Sequence, residues 1–193
     1  MNGGPRLVIA EDEAIIRLDL VEMLSDEGYD VVADTGDGDE AMRLVRAHRP
    51  DLVLVDIKMP GRDGLDVARE VHAEALCGVL VLTAFSQREL VAEATASGAL
   101  AYLVKPFERA ELVAAVEVAL ARHAEIANLL GEARELTERL ETRKVVDRAK
   151  GLLMDEHGMR EAEAFSFMQK TAMAQRRTMR VVAADILVGD LRP

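Results

Sequence analysis

The segment 52–64 reads LVLVDIKMPGRDG, and it decides the fold class. It opens with an apolar run of Val and Leu, Leu52–Val55, which ends at an acidic residue, Asp56. Other short apolar runs, separated from one another by sequence with helical spacing, occur at Leu7–Ala10, Val79–Leu82 and Ala101–Val104. Short apolar runs that alternate with helical segments are typical of buried parallel strands. We therefore predict an α/β protein.

Polar residues follow four of these predicted strands directly. Glu11 and Asp12 follow the first run, Asp56 follows the run at 52–55, and Thr83 and Lys105 follow the last two. The carboxyl ends of parallel strands meet at one crevice, where ligands bind. One pocket should therefore hold several carboxylates, a hydroxyl and an ammonium. That set suits a phosphoryl group and a hard divalent cation, and Mg²⁺ fits best because it prefers oxygen ligands.

The intervening segments complete five β–α repeats. A further strand is predicted at Tyr29–Ala33. Helices are predicted at Ala14 to about Glu27, Asp37–Arg49, Gly64 to about Leu76, Gln87–Gly98 and from Arg109 onward. Because β-α-β crossovers are almost always right-handed, this alternation predicts a doubly wound parallel sheet.

The last of these helices is expected to run on, since no proline interrupts Glu108–Gly158. Apolar residues at a 3-4 spacing predict a coiled-coil seam, although a single amphipathic helix lying on its own domain remains the alternative. Two more helices, Glu161–Ala174 and Met179–Val188, predict a small all-α module. We expect a domain at 1–120, a coiled-coil linker helix at 121–140 and a three-helix domain at 141–193. The seam comprises Ile126, Leu129, Ala133, Leu136 and Leu140.

Charge is distributed unevenly along the chain. The net charge is −11, but residues 1–140 carry 27 acidic against 14 basic side chains, whereas residues 141–193 carry 8 against 10. A polyanionic partner is therefore expected at the C-terminal end. No apolar stretch has the length of a membrane span or a signal peptide, and the single cysteine, Cys77, cannot form a disulfide framework. We expect a cytoplasmic protein that does not bind membranes.

The residues around the predicted pocket resemble the receiver domain of two-component response regulators. The shared segments are Ile9–Glu13, Leu54–Gly64, Val81–Ala84 and Tyr102–Phe107. The resemblance covers about Leu7 to Leu120. It implies a flavodoxin-like fold with strand order 2-1-3-4-5 and a sensor histidine kinase as the phosphodonor.

The resemblance also implies a role for each pocket residue. Asp56 would be the phosphoacceptor, attacking a phosphohistidine. Mg²⁺ would be held by Glu11, Asp12, Asp56 and the main-chain carbonyl of Lys58. The residues that stabilise the phosphoryl group or follow it as a switch would be Thr83, Ala84, Tyr102 and Lys105. The Lys105–Pro106 peptide bond is expected to be cis, and metabolic catalysis is not expected.

The distal part of the chain, about Leu140–Leu187, resembles the ANTAR family of RNA-binding antitermination modules. The resemblance is carried by the segment Glu141–Met154, with its Ala-Lys-Gly sequence at 149–151, and by the Ala-Phe pair at 164–165. It implies a stem-loop RNA partner and a role in transcription antitermination. Candidate RNA-binding residues are Arg143, Lys144, Arg148, Lys150, Gly151, Arg176, Arg177 and Arg180. The family often has Asn before its last helix, where this chain has Gln175–Arg177.

Several alternatives stay open for this module. The arginines could form an ordinary solvated face, and Gly151 could serve helix packing rather than close approach of RNA. Phe165 is expected on the apolar face of its helix, so no aromatic platform for stacking bases is predicted. A DNA-binding output of helix-turn-helix type and a protein-binding helical output are the other function classes. With RNA as partner, we expect phosphorylation to favour a homodimer through the seam.

Overall fold

The computed structural model describes residues 3–84 and 96–192, and five strands lie in one parallel sheet. Their order is β2-β1-β3-β4-β5, as the receiver resemblance implies, so the predicted doubly wound fold is confirmed. β3 lies at the centre of the sheet and is buried along its whole length. The strands are β1 (Arg6–Ala10), β2 (Asp30–Thr35), β3 (Leu52–Asp56), β4 (Gly78–Thr83) and β5 (Ala101–Val104).

Six helices lie within the described ranges: α1 (Ala14–Asp26), α2 (Gly38–His48), α3 (Gly64–Ala73), α4 (Arg109–His157), α5 (Glu161–Gln175) and α6 (Met179–Val188). The helix predicted at Gln87–Gly98 lies for the most part outside the described residues. The second strand begins at Asp30 rather than Tyr29, because the Tyr29 amide still donates to the Leu24 carbonyl at the end of α1. It extends to Thr35 because Thr35 pairs with Ala10 of β1.

Alternation of Leu and Val along the central strands separates the two faces of the sheet. One face carries the larger side chains and packs against α1 and the first turns of α4. The opposite face carries mostly valines and packs against α2 and α3. Helices on both faces leave the carboxyl ends of the strands as the accessible edge. The first face comprises Leu7, Ile9, Leu52, Leu54, Leu80 and Leu82, and the second Val8, Ala10, Val53, Val55, Val79 and Val81.

The chain divides into two compact units, Met1–Ala127 and Asn128–Pro193. The second unit has a core of its own, formed where the distal part of α4 meets α5 and α6. The seam side chains of α4 are exposed, with 58% of Leu129, 60% of Leu136 and 59% of Leu140 accessible to solvent. The described helices include none that is long and apolar enough to cross a bilayer. The core of the second unit contains Ala149, Leu153, Ala164, Met168, Ala172, Val182, Ala183 and Ile186.

Candidate phosphorylation site and RNA-binding module

Three carboxylates meet at the ends of two adjacent strands. β1 pairs with β3 through Ala10 and Val55, so the residues that follow, Glu11 with Asp12 and Asp56, lie side by side. Each of the three offers an oxygen, and these oxygens lie within 4.8 Å of one another. Glu11 is fully buried, Asp56 is 7% exposed, and Asp12 is open to solvent. Such a set of hard oxygen donors matches the chemistry of Mg²⁺.

Lys105, just beyond β5, supplies positive charge to this pocket. Its Nζ lies 2.5 Å from Glu11 Oε2 and 3.2 Å from Asp56 Oδ1. Its backbone amide donates to the Thr83 carbonyl at 2.7 Å, which ties the end of β5 to β4. One ammonium therefore faces two carboxylates. An acidic excess of this kind favours binding of a further cation.

The protonation behaviour of these groups reflects their burial. Desolvation raises the pKa of Glu11, and the neighbouring charge of Asp56 raises it further, although the hydrogen bond from Lys105 opposes both. Desolvation also raises the pKa of Asp56 against the opposing charge of Lys105. Burial alone would lower the pKa of Lys105, but its hydrogen bond to Glu11 and the charge of Asp56 raise it overall. Both carboxylates are thus costly to keep ionised without a further cation.

The pocket has a volume of about 340 Å³ and contains most of the residues predicted for it. The Lys105–Pro106 peptide bond is cis, as expected. Tyr102 lies elsewhere: its side chain is 47% exposed and lines a separate groove with Val118 and Arg122. The pocket is lined by Asp12, Glu13, Asp56, Ile57, Lys58, Thr83, Ala84 and Lys105.

The loop from β3 to α3 is held close to Asp56. A Cβ atom on Gly64 would lie 1.9 Å from the Asp56 carbonyl oxygen, so only glycine fits at the start of α3. The Gly64 amide donates to the Ile57 carbonyl at 2.9 Å, and the Asp63 carboxylate caps α3 by accepting from the Leu65 amide at 2.7 Å. These contacts fix the path of the loop that carries Lys58.

Arg17 of α1 is a contributor that the sequence patterns did not reveal. Its Nη1 donates to the Glu11 carbonyl at 2.5 Å, and its Nε donates to Asp34 Oδ2 at 3.0 Å. The Glu11 amide donates to the Thr35 carbonyl at 2.9 Å, so the backbone of the acidic turn is held on both sides. Helical spacing places Arg17 one turn beyond Glu13, but nothing in the sequence shows that its target is a carbonyl.

Comparison with known proteins decides the family. Residues 7–117 match the response regulator receiver domain, and residues 134–187 match the ANTAR domain. The transcriptional regulatory protein PdtaR of Mycobacterium tuberculosis is 54% identical over 182 residues, which cover 94% of this chain and 89% of PdtaR. The chain is a response regulator with an ANTAR output domain. Both resemblances stated from the sequence are thereby confirmed.

Two further relatives of this response regulator share a smaller part of it. The DNA-binding response regulator MtrA of M. tuberculosis is 40% identical over 118 residues, covering 61% of this chain and 51% of MtrA. The solved receiver domain of NarL from the same organism has a TM-score of 0.59 and 35% identity, covering 61% of this chain and 97% of that domain. Receiver domains generally bind Mg²⁺ at their acidic pocket and take phosphate from a histidine kinase, and ANTAR domains bind RNA.

Two of the candidate RNA-binding cations in the ANTAR domain, Lys150 and Arg177, form ion pairs with an acid of a different structural element. Lys150 Nζ lies 2.9 Å from Asp147 Oδ1 and 2.8 Å from Glu161 Oε1, and its side chain is only 17% exposed. It therefore joins α4 to the start of α5. Arg177 Nη2 lies 2.6 Å from Asp185 Oδ2, across the turn into α6.

The remaining candidates are more accessible. Arg143 and Lys144 are 80% and 68% exposed and form only local pairs along α4, which contribute little and can be exchanged for phosphate. Arg148, Arg176 and Arg180 are also exposed. A Cβ atom on Gly151 would meet nothing within 4 Å, so packing between helices of this unit does not require glycine there.

The prediction that Phe165 is buried on the apolar face of its helix is wrong. The apolar face of α5 is formed by Ala164, Met168 and Ala172, whereas Phe165 is 45% exposed. At about 100° per residue, Phe165 lies at the edge of this face, about 20° beyond Ala172, and much of its surface remains accessible to solvent. The domain therefore does present an aromatic ring to solvent.

Proposed function

We propose that Asp56 receives a phosphoryl group from a phosphohistidine of a sensor histidine kinase. A carboxylate oxygen of Asp56 would form a bond to phosphorus as the bond between phosphorus and the histidine nitrogen breaks. The observation that supports this role best is the position of Asp56, 3.2 Å from the Lys105 ammonium and within reach of two further carboxylates. Lys105 can stabilise charge that develops on the transferred oxygens.

Mg²⁺ is the cation that these residues fit. Glu11, Asp12 and Asp56, with the main-chain carbonyl of Lys58, would hold it, and it would offset negative charge on the phosphoryl oxygens. The cluster supports this assignment because its oxygens already lie within 4.8 Å of one another beside the Lys105 ammonium. Thr83 and the Ala84 backbone would contact the phosphoryl group, and Tyr102 would move inward from its exposed position.

The ANTAR domain would bind RNA stem-loops and so control transcription antitermination. Its charge supports this function, since residues 141–193 carry 10 basic and 8 acidic side chains in an otherwise acidic protein. The exposed seam of α4 offers a surface for a homodimer that phosphorylation would favour. The similarity to the DNA-binding protein MtrA covers only 118 residues, close to the 111 of the receiver match, and gives no support for a DNA-binding output here.

Substitution of the phosphoacceptor tests the proposal. Asp56→Asn should abolish phosphate incorporation from acetyl phosphate with Mg²⁺, because a carboxamide oxygen is a poor nucleophile. Asp63→Asn is the matched control, since Asp63 caps α3 and its side chain does not line the pocket. Incorporation at the wild-type level in Asp56→Asn would refute the assignment. Stem-loop RNA binding by the wild type, measured against duplex DNA at several salt concentrations, tests the output.

A further inference from the structure

A groove runs along the ANTAR domain between α4 and the first turn of α6. It has a volume of about 450 Å³, and Phe165 of α5 forms one wall. A second depression of about 570 Å³ adjoins it, shares Glu138, Thr142 and Met179 with it, and extends to Thr178 and Arg180. We name the two together the Phe165 groove. All of its lining residues lie within the second unit of the chain.

The walls of the groove are apolar where a flat ring could lie. Val146 and Met179 line it beside Phe165, and Phe165 is 45% exposed although the domain has a core of its own. Phe167, two residues along the same helix, instead packs against that core. An exposed aromatic beside apolar walls offers a face on which an unstacked nucleobase can lie.

The lining of the groove carries three arginines against two acids, Glu135 and Glu138, so cations that flanking phosphates could contact are in excess. Arg139, Arg143 and Arg180 line it, and the side chains of the first two are 71% and 80% exposed. Within the part of the chain that the structure describes, Arg139 and Arg143 pair with acids one turn away on their own helix, and exposed pairs of this kind are weak. By contrast, Lys150 and Arg177 are held by acids across element boundaries.

Polar groups that line the groove are able to contact the edge of a base. Thr142 and Thr178 carry hydroxyls that can donate or accept, and Glu138 carries a carboxylate that can accept from an exocyclic amino group. Thr178 already accepts from the Val181 amide at 3.4 Å as the cap of α6, which leaves its hydroxyl proton free to donate. The groove thus combines a stacking face, hydrogen-bonding groups and cations within one module.

We infer that the Phe165 groove holds an unpaired base of a hairpin loop, stacked on Phe165, while Arg139, Arg143 and Arg180 contact the adjacent phosphates. The inference rests on the proposed RNA-binding function and assigns it a site. It also shifts the expected contacts away from Lys150 and Arg177, whose pairs maintain the three-helix packing.

The test uses the full chain, activated with acetyl phosphate and Mg²⁺. An RNA hairpin pool with a randomised loop is enriched on the wild-type protein, and affinities of the enriched hairpins are measured by fluorescence anisotropy. Phe165→Leu keeps an apolar side chain but removes the aromatic face, and should weaken binding by about 5- to 100-fold. Phe165→Trp should retain binding. Phe167→Leu, the matched control on the same helix, should bind as the wild type does.

Two further measurements make the assignment specific. Arg180→Ala should weaken binding and lower its salt dependence, whereas Lys170→Ala, which removes an exposed charge from α5 outside the groove, should change neither. Hairpins with 5-iodouridine in the loop should cross-link on irradiation to the peptide that contains Phe165. Far-ultraviolet circular dichroism checks that each variant is folded.

The outcomes of these experiments distinguish failure of the groove assignment from failure of the proposed RNA-binding function. If no hairpin is enriched on the wild type, the RNA-binding function and the site fail together. If hairpins are enriched but bind Phe165→Leu as tightly as the wild type, the groove assignment is overturned and the RNA-binding function stands. If Phe165→Leu alters the sedimentation of the free protein and leaves RNA affinity unchanged, the groove belongs to an interface between two copies, which also overturns the assignment.

Discussion

The Glu11 carboxylate is fully buried, and the Lys105 Nζ lies 2.5 Å from its Oε2. Asp56 is nearly as buried and shares the same cation. Because burial raises the pKa of both carboxyls, the folded receiver binds their protons more tightly than the unfolded chain does. Without metal, their contribution to the free energy of unfolding is therefore largest at acid pH. It falls as the pH rises from the ordinary carboxyl range through the raised values.

This pH dependence of the free energy of unfolding leads to a prediction for the Asp56→Asn variant in the presence of EDTA. At pH 7 the variant should have a free energy of unfolding higher than the wild type by on the order of 1 kcal/mol, because it lacks one buried like charge. The difference should shrink towards pH 4 and on addition of Mg²⁺. Urea unfolding followed by tyrosine fluorescence measures it for the receiver alone, since the chain has no Trp and both tyrosines, Tyr29 and Tyr102, lie there. A wild type more stable than the variant at pH 7 in EDTA would contradict the prediction.

Arg17 acts on the same site through the backbone. Its guanidinium links the Glu11 carbonyl to Asp34, and so fixes the turn that carries Glu11 and Asp12. Arg17→Gln should weaken Mg²⁺ binding by about 10-fold, the size of effect seen when groups that orient metal ligands are removed. Isothermal titration with Mg²⁺ measures the change. Arg109→Gln is the control, because Arg109 also pairs with acids near the end of α1, Asp26 among them, but lies outside the pocket. Equal losses in both variants would argue against a specific role for Arg17.

Gly151 lies within the last two turns of α4, where glycine is an unfavourable residue for a helix. A methyl group at Gly151 would enter open space, and glycine lowers helix stability by about 1 kcal/mol relative to alanine. Gly151→Ala should therefore stabilise the ANTAR domain by up to about 1 kcal/mol, measured by hydrogen exchange of the amides in α4. A loss of RNA affinity in this variant would show that the glycine serves close approach of RNA.

Gly158, just after α4, provides the opposite case. Its φ of +63° lies in the left-handed region, where alanine is disfavoured by roughly 1–2 kcal/mol. Gly158→Ala should therefore destabilise the domain although space is available there too. If the two substitutions had the same sign, backbone conformation would not be what distinguishes these glycines.

Elements with strong local signals were predictable. The strands β3 and β4 are runs of buried Val and Leu, and the polar residue that ends each run, Asp56 or Thr83, marks the edge of the sheet. Because parallel strands align their carboxyl ends, the polar residues that end the strands were enough to predict where the pocket lies. Ion pairs between residues of different helices could not be predicted in this way. Lys150 meets Glu161 of another helix, and one helix's sequence does not show which cations are so engaged.

The buried face of a helix could be predicted from the sequence, but the exposure of a residue at the edge of that face could not. On α5, small and flexible side chains at 164, 168 and 172 define the buried face. Phe165 lies at the edge of this face, about 20° from Ala172, and helical spacing alone does not show how far neighbouring helices cover that edge. Arg17 shows a related limit, because its partner is a main-chain carbonyl, which no side-chain pattern records.

At the scale of the whole molecule, a strongly acidic receiver is joined in one chain to an ANTAR domain of slight positive charge. The net charge of −13 on residues 1–140 repels RNA within a Debye length, which is about 8 Å at physiological salt. The proposed binding of RNA must therefore depend on contacts that the ANTAR domain makes directly. Two such domains in one dimer would add affinity without any new contact, because the second hairpin binds at high effective concentration.

The exposed seam of α4 gives this idea a testable form. Leu136→Glu with Leu140→Glu would place like charges along both copies of the seam and should abolish the proposed dimer that phosphorylation would favour. Affinity for a single hairpin should persist, whereas the advantage of an RNA with two hairpins, expected to be about 10²- to 10⁴-fold for the wild type, should disappear. Asn128→Glu is the control, since Asn128 is exposed on the same helix at a position that faces away from the seam. Sedimentation with acetyl phosphate and titrations of both RNAs measure the outcome. A seam variant that keeps the two-hairpin advantage would show that dimerisation through α4 does not mediate recognition of paired hairpins.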